Sequence, residues 1–165
     1  MKEEMLFQQM EFVRMRTLAA LDATTEEIAD GQPKGFSNTI RWNFGHIYVA
    51  QENLIHRFLD LEPQLSEEYK SLFNGGTSPD SWTITPPTLE EIRSKLAKQT
   101  DRIQETIQGR LDEKGEKPFN LGNGIVLTTV AEVLNFSIWH EGLHQGKITA
   151  MQRVQGVDEL FATSR

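Results

Sequence analysis

His140 and His144 lie four residues apart in SIWHEGLHQGK, a stretch that reads as helix. That spacing puts both imidazoles on one helical face, one turn apart. Val133, Ser137 and Met151 fall on the same face, so it points inward. Two inward imidazoles one turn apart can chelate one metal ion. Taken alone, such a pair more often marks interior histidines satisfied by hydrogen bonds, because a two-residue match is a weak motif. His46, on a second helical pattern, borders an apolar stripe near Ala50 and Leu54 and can meet a facing helix. Three imidazoles from two helices are the usual protein share of an open metal site, with water or substrate completing the shell. Nitrogen donors of this kind suit zinc, nickel, iron(II) or copper better than magnesium or calcium. Zinc or nickel is the leading expectation, with iron next. His56 projects from the opposite side of its helix and is read as a surface residue.

His140 to His144 also fits H-E-x-x-H, the zinc-protease pattern in which the glutamate is the general base. The longer metalloprotease form asks for a glycine and a third histidine shortly downstream, and no histidine follows His144. Peptidase action is therefore disfavoured. Glu141 remains the candidate catalytic residue, as a proton shuttle or as the partner of a ligand histidine. The plainer alternative is a glutamate on the helix surface. Trp42, Phe44, Trp82 and Trp139 either line a pocket or fill the core. Gly142 inside a helix costs about 1 kcal/mol against Ala, which close approach of another helix or a substrate would explain.

The chain has no cysteine, so a disulfide framework, a thiolate zinc site and a cysteine nucleophile are excluded. Any metal must be held by histidine, carboxylate and water. The net charge is -7, and no Lys/Arg cluster offsets it, so nucleic-acid binding lacks its electrostatic footprint. No apolar run approaches the roughly 20 residues of a membrane span. The N-terminus carries acids where a signal peptide has basic residues, and a cytoplasmic location is expected. At 165 residues, 38% hydrophobic and 25% charged, the chain reads as a single globular domain over 1–165.

Four long helical periods must position the histidines. The first runs from Glu3 to about Leu21, with Leu6, Met10, Val13, Thr17 and Leu21 at helical spacing. A short turn is expected at Thr24 to Ile28. The second begins after Ser37 or Asn38 and runs to about Leu61, before Pro63. A short helix at Ser66 to Phe73 and an irregular NGGTSPDSWTITPP segment follow. The third starts at a capping box, Thr88 with Glu91, and continues to about Leu111. Phe119 to Leu127 forms a short extended pair turning at Asn123-Gly124. The fourth starts at another box, Thr129 with Glu132, and runs to about Arg153, with one more turn expected at Asp158 to Phe161. This is an all-α pattern, a four-helix bundle. The link between its second and third helices is long enough to cross the bundle.

Asn43-Phe-Gly-His46-Ile with Glu52 downstream, followed by WHEGLHQGKI over 139–148, resembles the DinB/YfiT-like metalloprotein superfamily over nearly the whole chain. The resemblance implies a DinB-like four-helix bundle with a divalent metal on His46, His140 and His144. It also implies a homodimer, and an enzyme that joins a low-molecular-weight thiol to a small electrophilic substrate. Hydrolase activity is the runner-up, and a metal-stabilised binding module without turnover is the third reading. Lys147 departs from the resemblance, since relatives commonly carry glutamine there. A cation at that place weakens metal binding if it points inward, binds an anionic substrate, or snorkels to solvent.

Overall fold

The computed structural model describes residues 2–161 and is mostly helical, with one small sheet. The helices are α1 (Glu3–Asp22), α2 (Glu26–Ala29), α3 (Ile40–Phe58), α4 (Glu67–Phe73), α5 (Leu89–Ile107) and α6 (Val130–Val154). A short 3-10 turn, Pro79–Ser81, lies between α4 and α5. The strands β1 (Lys114–Gly122) and β2 (Ile125–Thr129) pair antiparallel, with Phe119 opposite Leu127. Among the described residues, no helix is long and apolar enough to cross a membrane.

Local chemistry explains the starts and stops. Thr88 and Glu91 close a reciprocal capping box at α5, and Thr129 and Glu132 close another at α6. Thr39, one residue later than expected, caps α3 by accepting from the Trp42 N–H. Helix α3 stops at Phe58 rather than Leu61 because Asp60 takes a left-handed conformation, φ 55°. Helix α5 stops at Ile107 rather than Leu111, two residues before Gly109 at φ 73°. The hairpin turns at Asn123 (φ 52°) and Gly124 (φ 80°), the paired positive values of a type I′ turn. It starts five residues earlier than the sequence pattern suggests. Residues 158–161 form bends and no helical turn.

Helix α1 packs against α5 and α6, and α3 packs against the same two. Two apolar clusters fill the space between them. One is built on Ile40, Phe44, Ile47, Phe73, Ile92, Leu96, Ile148 and Met151. The other is built on Leu6, Met10, Ile55, Ile103, Ile107, Val133 and Leu134. Midway along the helices runs a buried polar layer. Arg14 donates through Nε and Nη2 to Glu141 (2.9 and 3.0 Å), and also reaches the side-chain oxygens of Gln51 and Gln99. Gln99 Nε2 and Arg102 Nη2 both donate to Glu52 Oε2, at 2.8 and 2.6 Å. Each buried carboxylate thus faces a guanidinium, the condition under which interior charge is tolerated.

His56 corrects the surface reading. It is 4% exposed, and its Nδ1–H donates to the Glu52 carbonyl oxygen at 3.0 Å. Helix α3 has neighbours nearly all round, since α4, α5, α6 and β1 all pack on it. It therefore has no broad solvent face for His56 to occupy.

Candidate metal centre

Helices α3 and α6 bring His46, His140 and His144 together. One ring nitrogen from each lies within 4.8 Å of the others, a set that could hold a metal ion. Two nitrogens at about 2.1 Å from a shared ion can stand at most about 4.2 Å apart, so any pair beyond that must draw together to share one. Among the described residues, nothing hydrogen-bonds to His140, which leaves that ring free to make the adjustment. Its centroid is 5.3 Å from that of His46 and 4.6 Å from that of His144.

The other two rings are pinned. His46 Nδ1–H donates to the Phe73 carbonyl oxygen at 2.7 Å. His144 Nδ1–H donates to Asn43 Oδ1, also at 2.7 Å. The Asn43 amide is itself fixed, because its Nδ2 donates to the Thr39 carbonyl oxygen at 2.7 Å. With Nδ1 engaged as a donor, each ring keeps the Nε2 lone pair for a ligand bond. Trp42 lies flat on His46, with centroids 4.5 Å apart and planes 9° from parallel. The glycine before His46 has a steric cause. A Cβ on Gly45 would come within 2.5 Å of the Phe73 ring, so only glycine lets α4 approach closely enough to offer that carbonyl.

Burial keeps the cluster neutral. It pushes His140 down to about 4 and His144 down to about 3, with the neighbouring histidines and Lys147 adding to the effect. His46 is also lowered, first by burial and then by Lys147, against the opposing Phe73 hydrogen bond. Neutral imidazole is the form that binds metals. Lys147 itself is exposed, one turn beyond His144, so its cation acts at a distance.

Glu141 sits about 100° round the helix from His140 and is 3% exposed. Both its oxygens face α1, where Arg14 donates to each and Thr17 Oγ1 donates to Oε1 at 2.6 Å. It is not part of the histidine group. It is also not the helix-surface glutamate of the plainer alternative.

The suggested aromatic residues divide. Trp42 touches the site, Phe44 is fully buried core, Trp82 packs edge-on against Phe73, and Trp139 is 57% exposed. The pocket that reaches the histidines is walled instead by Phe58, Phe119 and Phe136. It has a volume of about 540 Å³, and His46 and His140 both line it. Among the described residues, Gly142 meets no atom that would crowd a Cβ, so close approach by them does not explain it.

A family model described as the DinB superfamily matches residues 9–148, a span that contains all three histidines. The chain belongs to the DinB superfamily. No curated protein matches it closely enough to serve as a characterised relative. The family assignment and the histidine geometry agree on a candidate metal site between α3 and α6.

Asn43, Phe73 and Arg14 are the supporting residues that sequence reasoning left without roles. Asn43 had a signal, since it precedes His46 by three residues and so shares its helix face. Arg14 had one too. It follows Met10 by four residues and precedes Thr17 by three, which places a charge on an apolar face. The Phe73 contribution is a main-chain carbonyl from a separate helix, for which a side-chain pattern gives no sign.

Proposed function

We propose that this protein is a metal-dependent enzyme that binds one divalent ion through His46, His140 and His144 and joins a low-molecular-weight thiol to a small electrophile. The observation that carries the proposal is the junction of the three-histidine cluster with a largely apolar pocket. A cleft ending at the histidines favours turnover over a purely structural metal. A bound ion of this kind lowers the pKa of a coordinated thiol or water and so supplies a nucleophile near neutral pH. The chain's own residues set up that chemistry. Asn43 and the Phe73 carbonyl hold two imidazoles in the ligating tautomer, and Trp42 shields His46. Phe119 and Phe136 supply apolar walls that exclude water beside the cluster. Glu141, tied to Arg14 and Thr17, fastens the histidine-bearing turn of α6 to α1, and proton transfer through it is not required. Zinc or nickel suits the donor set best. Hydrolysis is the second reading, because the same open position accepts water.

The four long helices, each packed on two others, are read as the bundle expected of the family. A homodimer is part of the proposal. Helices α1 and α6 are neighbours and leave Met5, Phe12, Trp139 and Leu143 between 44% and 59% exposed, apolar side chains that a second copy would cover.

The test is a conjugation assay on protein loaded with zinc or nickel and on protein stripped of metal. Small thiols and a chlorinated aromatic electrophile serve as substrates. Thiol consumption that depends on metal and disappears in His144→Ala is the expected result. Metal-dependent ester or amide cleavage with no thiol consumption would favour the hydrolase reading instead.

A further inference from the structure

We infer that the pocket beside the histidines takes a small substrate with an apolar, ring-sized body and a carboxylate at its far end, held there by Arg57 and Lys117. The inference rests on the reading of the histidine cluster as the reacting end. The chain carries a net charge of -7, yet no Asp or Glu lines this pocket, whereas Arg57 and Lys117 both do. Every other arginine among the described residues has a partner. Arg14, Arg41, Arg93, Arg102, Arg110 and Arg153 make ion pairs, and Arg16 lies over the Phe161 ring. Arg57 has no ion pair, no side-chain hydrogen bond and no aromatic partner among those residues, and Lys117 has none either. Two exposed cations without acidic partners at one cleft favour an anion there, and a guanidinium matches a carboxylate in two parallel hydrogen bonds.

The pocket's layout sets the size of the ligand. Along α3 its wall is one helical stripe of His46, Val49, Ala50, Asn53, Leu54 and Arg57. Those eleven residue steps span about 16 Å from the histidine to the arginine. Side chains on a helix tend to lean towards its N-terminus, which for Arg57 is the direction of His46 along this stripe. The opposite wall comes from β1, whose Lys117, Pro118 and Phe119 overhang the groove. Gly115 anchors that strand, since a Cβ there would come within 2.6 Å of the Phe58 ring. Phe119, Phe136 and His140 follow one another at centroid separations of 6.3 Å each, an aromatic path leading to the cluster. Such walls fit an apolar body, and low-molecular-weight thiols are polar. The carboxylate therefore belongs to the electrophilic substrate.

Calorimetric titration of the full-length protein with 4-phenylbutyrate, and with the neutral 4-phenylbutanol, tests this in zinc-loaded and metal-free samples. The expected result is carboxylate binding about tenfold tighter than alcohol binding in both samples. Arg57→Ala and Lys117→Ala should each remove most of that preference and leave alcohol binding unchanged. Equal affinity for acid and alcohol would overturn the inference. So would a carboxylate preference that survives both substitutions, or one that disappears when zinc is removed, since the anion would then be held at the metal. A metal-free protein that binds the carboxylate through Arg57 but takes up no zinc would refute the metal reading alone and leave the pocket assignment standing.

Discussion

Asn43 Oδ1 stands 2.7 Å from His144 Nδ1, and the same amide donates at 2.7 Å to the carbonyl oxygen of Thr39, the residue that caps α3. The start of α3 therefore fixes the tautomer of a histidine on α6, 101 residues away in sequence. Asn43→Leu removes this orienting acceptor and leaves all three imidazoles in place. It should weaken metal affinity by roughly 10- to 100-fold, the usual cost of losing a partner behind a ligand histidine. Zinc competition with a chromophoric chelator measures it. Unchanged affinity would mean that His144 is held by packing alone.

Gly45→Ala drives a methyl group into the Phe73 ring, 2.5 Å from the ideal Cβ position. The overpacking should cost about 1–3 kcal/mol. It should also push α4 outward and withdraw the carbonyl that orients His46. Urea unfolding and the chelator competition, run on the same protein, should show both losses together. Loss of stability with full metal affinity would separate His46 orientation from α4.

Glu141→Gln leaves the buried Arg14 guanidinium without its counter-charge. A loss of about 3 kcal/mol in unfolding free energy is expected, as for other broken interior pairs. Metal content should stay near that of the parent protein, because Glu141 faces α1 rather than the cluster. If stability is unchanged and metal-dependent turnover is abolished, Glu141 is a proton carrier after all.

The lowered histidines make the metal-free protein sensitive to acid. In the unfolded chain His140 and His144 take up protons near pH 6.5, but in the fold they do so only at about 4 and about 3. Between those limits the unfolded state binds more protons, so stability rises with pH. It should be fully present above about pH 6.5 and fall progressively down to about pH 3. Urea midpoints at pH 7.5, 6.0 and 5.0 should decline in that order. His140→Phe should flatten the decline, and a flat profile in the parent protein would contradict the burial of neutral histidines.

Trp139 and Leu143 are exposed apolar side chains on α6, and Met5 and Phe12 are exposed on the neighbouring helix α1. Light scattering at micromolar concentration should report a dimer. Trp139→Glu should shift it to monomer without altering metal content. A monomeric parent protein would rule out the dimer.

The elements were legible where local chemistry is strong. Thr88 with Glu91 and Thr129 with Glu132 announce two helices to the residue, and Asn123-Gly124 announces the hairpin turn. The ends of α3 and α5 were not, because left-handed Asp60 and Gly109 stop helices whose apolar period runs on. His140 and His144 were legible from spacing, and His46 from its place beside an apolar stripe. His56 was misread because periodicity assumes one solvent face, and α3 is enclosed by neighbours that include α4, α5, α6 and β1. The burial of Glu141 was not legible, because its partners Arg14 and Thr17 lie more than 120 residues away, where spacing carries no information.

Metal analysis after reconstitution with zinc or nickel and removal of loosely bound ion decides whether the three histidines hold an ion. The parent protein should retain one ion per chain. His46→Ala, His140→Ala and His144→Ala should each retain almost none while keeping their helical circular dichroism, and His56→Gln should retain one. A folded parent protein that holds no ion, or a His56→Gln variant that loses metal as completely as His144→Ala, would contradict the assignment.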